Sequence, residues 1–272
     1  MKNALSFDVE DYFHVTGFEH VVDRARWDDY PIRFKIGMSK ILVLLERYGV
    51  RATFFFLGWI ADRYPEVVSE VARKGHEIAI HGYEHRLIYT QTPDEFEADL
   101  VWALQAVRKA YDGPILGYRA PSFSIRTDTL WALDVIRNLN FRYDSSIFPI
   151  RRKRYGILDA TDGPHEIADG LVEFPMSTIE VLGRRLPVCG GGYLRLFPLA
   201  LTLRAIDVLN RERRQPAIVY LHPWELDPGQ PRIWAGFGNT FRHRVNLRST
   251  EQRLEALCRR FEFAPIREVL QL

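Results

Sequence analysis

At 272 residues the chain can bury about three-quarters of its unfolded surface, as one large domain or two small ones. Hydrophobic residues at 47% and charged residues at 26% match soluble globular chains and exclude a largely disordered protein. Lys and Arg number 37 against 35 Asp and Glu, which excludes nucleic-acid recognition by bulk charge; Cys189 and Cys258 are too few for a disulfide framework. No run approaches the roughly 20 apolar residues of a membrane span. The residues after Met1 lack the long apolar stretch and cleavage site of a secretory leader, so the expected compartment is the cytoplasm.

Short apolar runs with strand character recur at 4–7, 52–57, 77–80, 115–118, 141–143, 171–174, 217–221 and 261–266. Helical patterns lie between most of them. Met38, Ile41, Leu42, Leu45 and Tyr48 form a stripe that stops before Gly49, and Pro65 opens a helix that ends at Gly75. Thr92-Pro93-Asp94-Glu95 reads as a capping box ahead of Phe96, Leu100, Ala103, Leu104 and Val107. Thr127 begins another helix, and two more cover about 199–211 and 250–261. Eight strands alternating with helices predict an α/β fold, a distorted barrel of about seven to eight parallel strands in one domain. Two segments, 144–171 and 223–248, show no helical stripe and read as long irregular loops.

Catalytic groups in such barrels gather where strands end. The first strand ends in Asp8-Val9-Glu10-Asp11, and strand alternation puts Asp8 and Glu10 on one face with Asp11 turned aside. The third ends in His81-Gly82-Tyr83-Glu84-His85, where two imidazoles four apart, joined to a carboxylate, suit a divalent metal with one position left open. The fourth ends in Gly117-Tyr118-Arg119-Ala120-Pro121-Ser122, with an arginine able to orient a carboxylate. The seventh ends in Leu221-His222-Pro223-Trp224-Glu225, a histidine fit to carry a proton beside a ring fit to stack on a sugar. Tyr193 and Gly190-Gly191-Gly192 are candidates for shaping a groove. The basic run Arg151–Arg154 reads as a solvated loop rather than a nucleic-acid site.

Taken together, Phe7-Asp8-x-Glu10, His81-Gly82-x-x-His85, Arg119-x-Pro121 and Leu221-His222-Pro223 resemble the NodB-homology polysaccharide deacetylases, carbohydrate esterase family 4. The longer strings Asp8 to Val15 and His222 to Asp227 resemble the exosortase-associated (PEP-CTERM locus) exopolysaccharide deacetylases within it. The resemblance covers nearly all of residues 1–272, with a branch-specific C-terminal extension from about 223. It implies a de-N-acetylase of N-acetylated amino sugars in a glycan, with Asp8 as general base, Arg119 steadying it and His222 as general acid. His81 and His85 would hold a divalent metal, zinc first and cobalt, nickel or manganese as alternatives. The common family pattern has two adjacent aspartates, whereas position 9 here is valine; relatives nearer the peptidoglycan-deacetylase and allantoinase-like branch place the metal acid two residues after the base, and that resemblance implies Glu10, with Asp11 in reserve.

Pro121, Ser122 and Trp224 would bind substrate, the Ser122 N–H facing the oxyanion. The family's Asp-Trp motif survives only as Asp144, which makes Asp144, then Glu173, the expected support for His222. A hydrolase of small cyclic amides or imides on the same fold, and a catalytically silent carbohydrate-binding protein, are the competing readings.

Overall fold

A computed structural model shows why the apolar runs are so short: they are the rungs of one parallel sheet covered on both faces. The structure describes residues 1–150, 152 and 155–272, so most of the basic run Arg151–Arg154 lies outside the described residues. The strands are β1 (Asn3–Val9), β2 (Thr53–Phe56), β3 (Glu77–Ile80), β4 (Gly117–Tyr118), β5 (Tyr143–Asp144), β6 (His165–Ala168), β7 (Leu171–Glu173), β8 (Thr178–Val181), β9 (Arg184–Pro187), β10 (Ile218–Leu221) and β11 (Phe263–Ala264). Every residue of β1 and β2 is buried, as parallel strands covered on both faces require.

The sheet runs β10-β1-β2-β3-β4-β5-β7-β6, with β11 pairing the first residues of β1 below the point where β2 joins. All of these pairs are parallel except β6 with β7. The sheet curls into a half-barrel. Among the described residues no ladder joins β10 to β6, so the distorted barrel is open on that side. The expected irregular segment 144–171 contains β6, which turns back on β7 as a hairpin. A second hairpin, β8 with β9, stands apart from the main sheet. The other expected loop, 223–248, contains a tight 3-10 turn at Pro223–Leu226 and a helix at Phe237–Arg244.

Two helices matter most for the site. Helix Pro93–Arg108 begins with the expected capping box, Thr92 and Glu95 each accepting from the other's backbone N–H. Helix Phe34–Tyr48 has no side-chain cap at Arg33. Instead Asp11, from the loop after β1, accepts the backbone N–H groups of Arg33 at 2.6 Å and Phe34 at 2.9 Å. The same helix packs on the Pro223–Leu226 turn through Gly37, where an added Cβ would lie 1.8 Å from the Pro223 carbonyl oxygen.

That contact gives a direct test of how the helix holds the turn. Gly37→Ala forces the turn and helix apart and should cost about 1–3 kcal/mol of stability, as overpacked cores do. The expected result is a lower urea midpoint at unchanged slope, and an unchanged midpoint would show that the contact yields freely.

Candidate active site

Parallel pairing sets the site by register. Val9, Phe56, Ile80, Tyr118, Asp144 and Glu173 are paired in sequence across five strand junctions, forming one transverse row. Of the six residues that follow this row, Leu57 and Phe174 are apolar and Glu10, His81, Arg119 and Ser145 are polar, so four polar side chains leave the sheet at one level. Phe7 pairs with Leu221, which puts Asp8 beside His222. Residues dispersed over 215 positions of sequence converge because strands of equal rise end together.

Arg119 is fully buried. Its Nη1 donates to Asp8 Oδ1 at 2.6 Å and to Ser6 Oγ at 2.9 Å, while Nε and Nη2 donate to the Ser145 carbonyl and hydroxyl. The guanidinium lies 4.1 Å from the Phe55 ring centroid. Ser6 and Ser145 were not singled out from sequence, since a serine at a strand end carries no pattern of its own. Asp8 keeps Oδ2 clear of the guanidinium and 3.8 Å from His222 Nε2.

Glu10 Oε1 lies 3.2 Å from both His81 Nε2 and His85 Nε2, and all three side chains are buried. The His81 Nδ1–H donates to the Arg119 carbonyl at 2.8 Å, which turns the lone pair of Nε2 inward. Burial favours the neutral form of Glu10, but His85 and His222 above all hold its pKa well below the carboxylate range. Gly82 permits the turn between the histidines: its φ is +74°, and a Cβ there would meet Asp99 Oδ2 at 2.8 Å.

Two imidazoles and a carboxylate with converging lone pairs are suited to a divalent cation. Ligand arms of about 2.0–2.1 Å in a tetrahedron put donor atoms about 3.3 Å apart, close to the two 3.2 Å separations here. Asp8, Glu10 and His222 also lie close enough to share an ion, but Arg119 holds one Asp8 oxygen and His222 is in its cationic range. Asp11, the reserve ligand, is turned away: its two oxygens accept the N–H groups of Tyr12, Arg33 and Phe34.

His222 is where the sequence expectation needs correcting. Its Nδ1 donates to Glu225 Oε2 at 2.9 Å, and the same oxygen accepts the His222 N–H. Pro223 starts the turn that brings Glu225 back, so its carboxylate reaches the His222 backbone N–H as the glutamate of a capping box does. Glu225 Oε1 in turn accepts Arg195 Nε at 2.6 Å, and both partners are buried. Burial opposes charge on His222, yet Glu10, Glu225 and Asp8 outweigh it and lift its pKa to about 9.

Asp144 and Glu173 do not reach this histidine. They share a hydrogen bond with each other, and burial together with the Asp144 charge raises Glu173 well above the carboxylate range, so this pair holds a proton. Asp144 also accepts from Ser146 Oγ, and Glu173 from the Ile147 N–H.

Above these groups opens a cavity of about 160 Å³ lined by Asp8, Glu10, His85, Ser122, Phe123 and His222, among others. Ser122 sits on its wall at φ +51°, its hydroxyl 2.6 Å from that of Thr16. Pro121 does not line it; this proline opens the buried turn behind Ser122. Trp224 lines the cavity, but His222 stacks on it at 5.2 Å and His243 at 4.2 Å, so its faces are taken and it offers an edge instead of a stacking platform. Tyr193 bonds Tyr155, a wall residue, at 2.9 Å, and Gly190 packs on Tyr220 beneath the cavity.

Residues 26–143 match the sequence model of the polysaccharide deacetylase family. Over that stretch the chain is similar to the polysaccharide deacetylase family. Residues 145–271 match a second model, described only as a domain of unknown function (DUF3473). Asp8 and Glu10 precede the first match, His81, His85 and Arg119 lie inside it, and His222 and Glu225 lie in the second.

A peptidoglycan-N-acetylglucosamine deacetylase of Bacillus cereus is 33% identical over 84 residues, 31% of this chain and 28% of that protein. Chitin deacetylase 1 of Saccharomyces cerevisiae is 26% identical over 161 residues, 52% of each chain. The chain spans about a third of the length of the first curated relatives it matches. A Mycobacterium smegmatis protein classed as a polysaccharide deacetylase shares the fold at TM-score 0.60 and 20% identity, over 98% of this chain and 88% of that one.

Metal binding separates Glu10 from Asp11. Titration with a divalent transition metal should show His81→Ala, His85→Ala and Glu10→Ala each weakened by more than about 100-fold, beyond the range of outer-shell changes. Asp11→Asn should bind as the parent does. Loss of metal in Asp11→Asn with retention in Glu10→Ala would reverse the assignment.

Proposed function

We propose that the protein is a metal-dependent de-N-acetylase acting on an N-acetylated amino sugar of an exopolysaccharide or related glycan, with zinc as its metal. One observation carries the reading: Asp8 Oδ2 and His222 Nε2 face each other at 3.8 Å beside the Glu10, His81 and His85 cluster, at one cavity. A base, an acid and a cation-binding set at one point are what amide hydrolysis needs. Relatives named for deacetylation of peptidoglycan and chitin support the same chemistry. Zinc suits a site of two imidazoles and one carboxylate that leaves a coordination position open.

An acetamide carbonyl is a weak electrophile. When bound, the cation supplies Lewis-acid polarisation of that carbonyl and lowers the pKa of water toward about 7. Asp8, one oxygen fixed by Arg119, takes the proton of the attacking water on Oδ2. The Ser122 N–H faces the developing oxyanion from the cavity wall. His222 is cationic at neutral pH, with Nδ1–H held by Glu225, so Nε2–H is the proton delivered to the departing amine. The products are the free amino sugar and acetate.

Acetate release from N-acetylglucosamine oligomers, with and without added zinc, tests the reading directly. Asp8→Asn should retain metal and lose about 100- to 10,000-fold in turnover, the usual contribution of a general base. Turnover within a few-fold of the parent would remove Asp8 from that role.

The acid is tested by pH. Glu225 raises the His222 pKa, so Glu225→Gln lowers it and His222 loses its proton at lower pH. The alkaline limb of the turnover profile should therefore move to lower pH. A limb that stays in place would mean that His222 is not the acid.

A further inference from the structure

The chain's charge is nearly balanced overall, but it is not evenly spread. Residues 228–250 contain Arg232, Arg242, Arg244 and Arg248 and no aspartate or glutamate, leaving 33 basic against 35 acidic residues over the rest of the chain. The same segment carries the most concentrated apolar exposure on the described surface. Phe237 is 78% exposed, Trp234 61% and Phe241 52%. Phe237 and Phe241 sit one helical turn apart on Phe237–Arg244 with rings nearly parallel, and Trp234 closes a shallow depression with them, flanked by Arg232 and Arg244.

The opposite side of this helix faces the chemistry. Asn239, Arg242 and His243 line a second cavity of about 190 Å³ that shares Thr16, Ser122, His222 and Trp224 with the first. One short helix therefore divides the active-site approach from an apolar, basic outer face.

We infer that this face is a peripheral docking surface for an anionic phospholipid bilayer, with Trp234, Phe237 and Phe241 entering the headgroup boundary and the flanking arginines pairing with lipid phosphates. Exposed aromatic rings beside arginines suit the interface between acyl chains and phosphates. Arg232 and Arg244, which flank the depression, complement an anionic leaflet. No helix among the described residues is long and apolar enough to cross a membrane, so the contact is a surface one. Docking in this way sets the cavity mouth beside the bilayer, within reach of a glycan carried on a membrane lipid. The surface itself is independent of the reaction proposed above.

The test is co-sedimentation with vesicles of pure phosphatidylcholine and of equal parts phosphatidylcholine and phosphatidylglycerol. The protein should bind the anionic vesicles and not the neutral ones, and binding should fall with added salt as phosphate contacts are screened. Trp234→Ser/Phe237→Ser/Phe241→Ser should weaken binding by at least about tenfold, because the insertion of apolar area is lost. Arg232→Gln/Arg244→Gln should weaken it and flatten its salt dependence.

All three aromatics are exposed, and an unchanged thermal unfolding curve confirms that the triple variant is folded. Failure of the parent to bind anionic vesicles overturns the inference, as does equal binding by parent and triple variant. Dimerisation of the parent that the triple variant abolishes, without vesicle binding, assigns the face to a second copy and overturns it too.

Discussion

Arg119 is the constraint around which the site is built. A guanidinium without water must have its charge matched and its N–H groups occupied, or its burial costs several kcal/mol. Asp8 matches the charge, Ser6 and Ser145 occupy donors, and Phe55 covers the plane. These four come from β1, the turn after β5, and β2, so the ion pair locks three parts of the sheet together. A residue held so firmly can offer its second carboxylate oxygen in one direction only, which is how a buried ion pair of little value to stability serves orientation.

A second buried guanidinium does the same on the other side. Arg195 bonds Glu225 and three backbone carbonyls near the end of helix Phe237–Arg244. Glu225 then has one oxygen for Arg195 and one for His222. The two arrangements are mirror tasks: one arginine keeps a carboxylate available to accept a proton, and the other supports a carboxylate that keeps an imidazole charged. The first lies at the N-terminal strands and the second in the part matching DUF3473, so the reactive groups of the cavity come from both matched regions and the strand before them.

Much of this was legible in the sequence because parallel strands advertise themselves. Continuous apolar runs marked the main strands, and the polar residues that follow four of them, Asp8, His81, Arg119 and His222, were already among the candidate site residues. The hairpins were harder to see: β6 is half-exposed, and β8 and β9 mix apolar with charged residues, so neither shows a buried-strand run. The helix Phe237–Arg244 is short, follows Gly236 and carries Gly238 in its first turn, with three basic residues in its last turn, and its apolar face points outward, so no inward stripe exists to find.

Glu225 was missed for a different reason. Its three-residue spacing from His222 is a capping pattern, but the cap residue is a histidine rather than a serine or threonine. The partner of Asp144 is a tertiary fact, set by the pairing of β5 with β7, and spacing along the chain carries no trace of it.

The contact at Gly37 extends beyond packing. Asp11 fixes the start of helix Phe34–Tyr48, and that helix bears through Gly37 on the turn that holds His222. The residue next to Glu10 is thus joined through one helix to the turn after His222, and that helix backs the pairing of β1 with β10 that sets Asp8 beside His222. Such a centre cannot widen to admit a bulkier reacting group without moving a whole helix. Room for change lies instead on the outer wall, at Asn239 and Arg242, whose side chains line the second cavity away from the Asp8 and His222 pair.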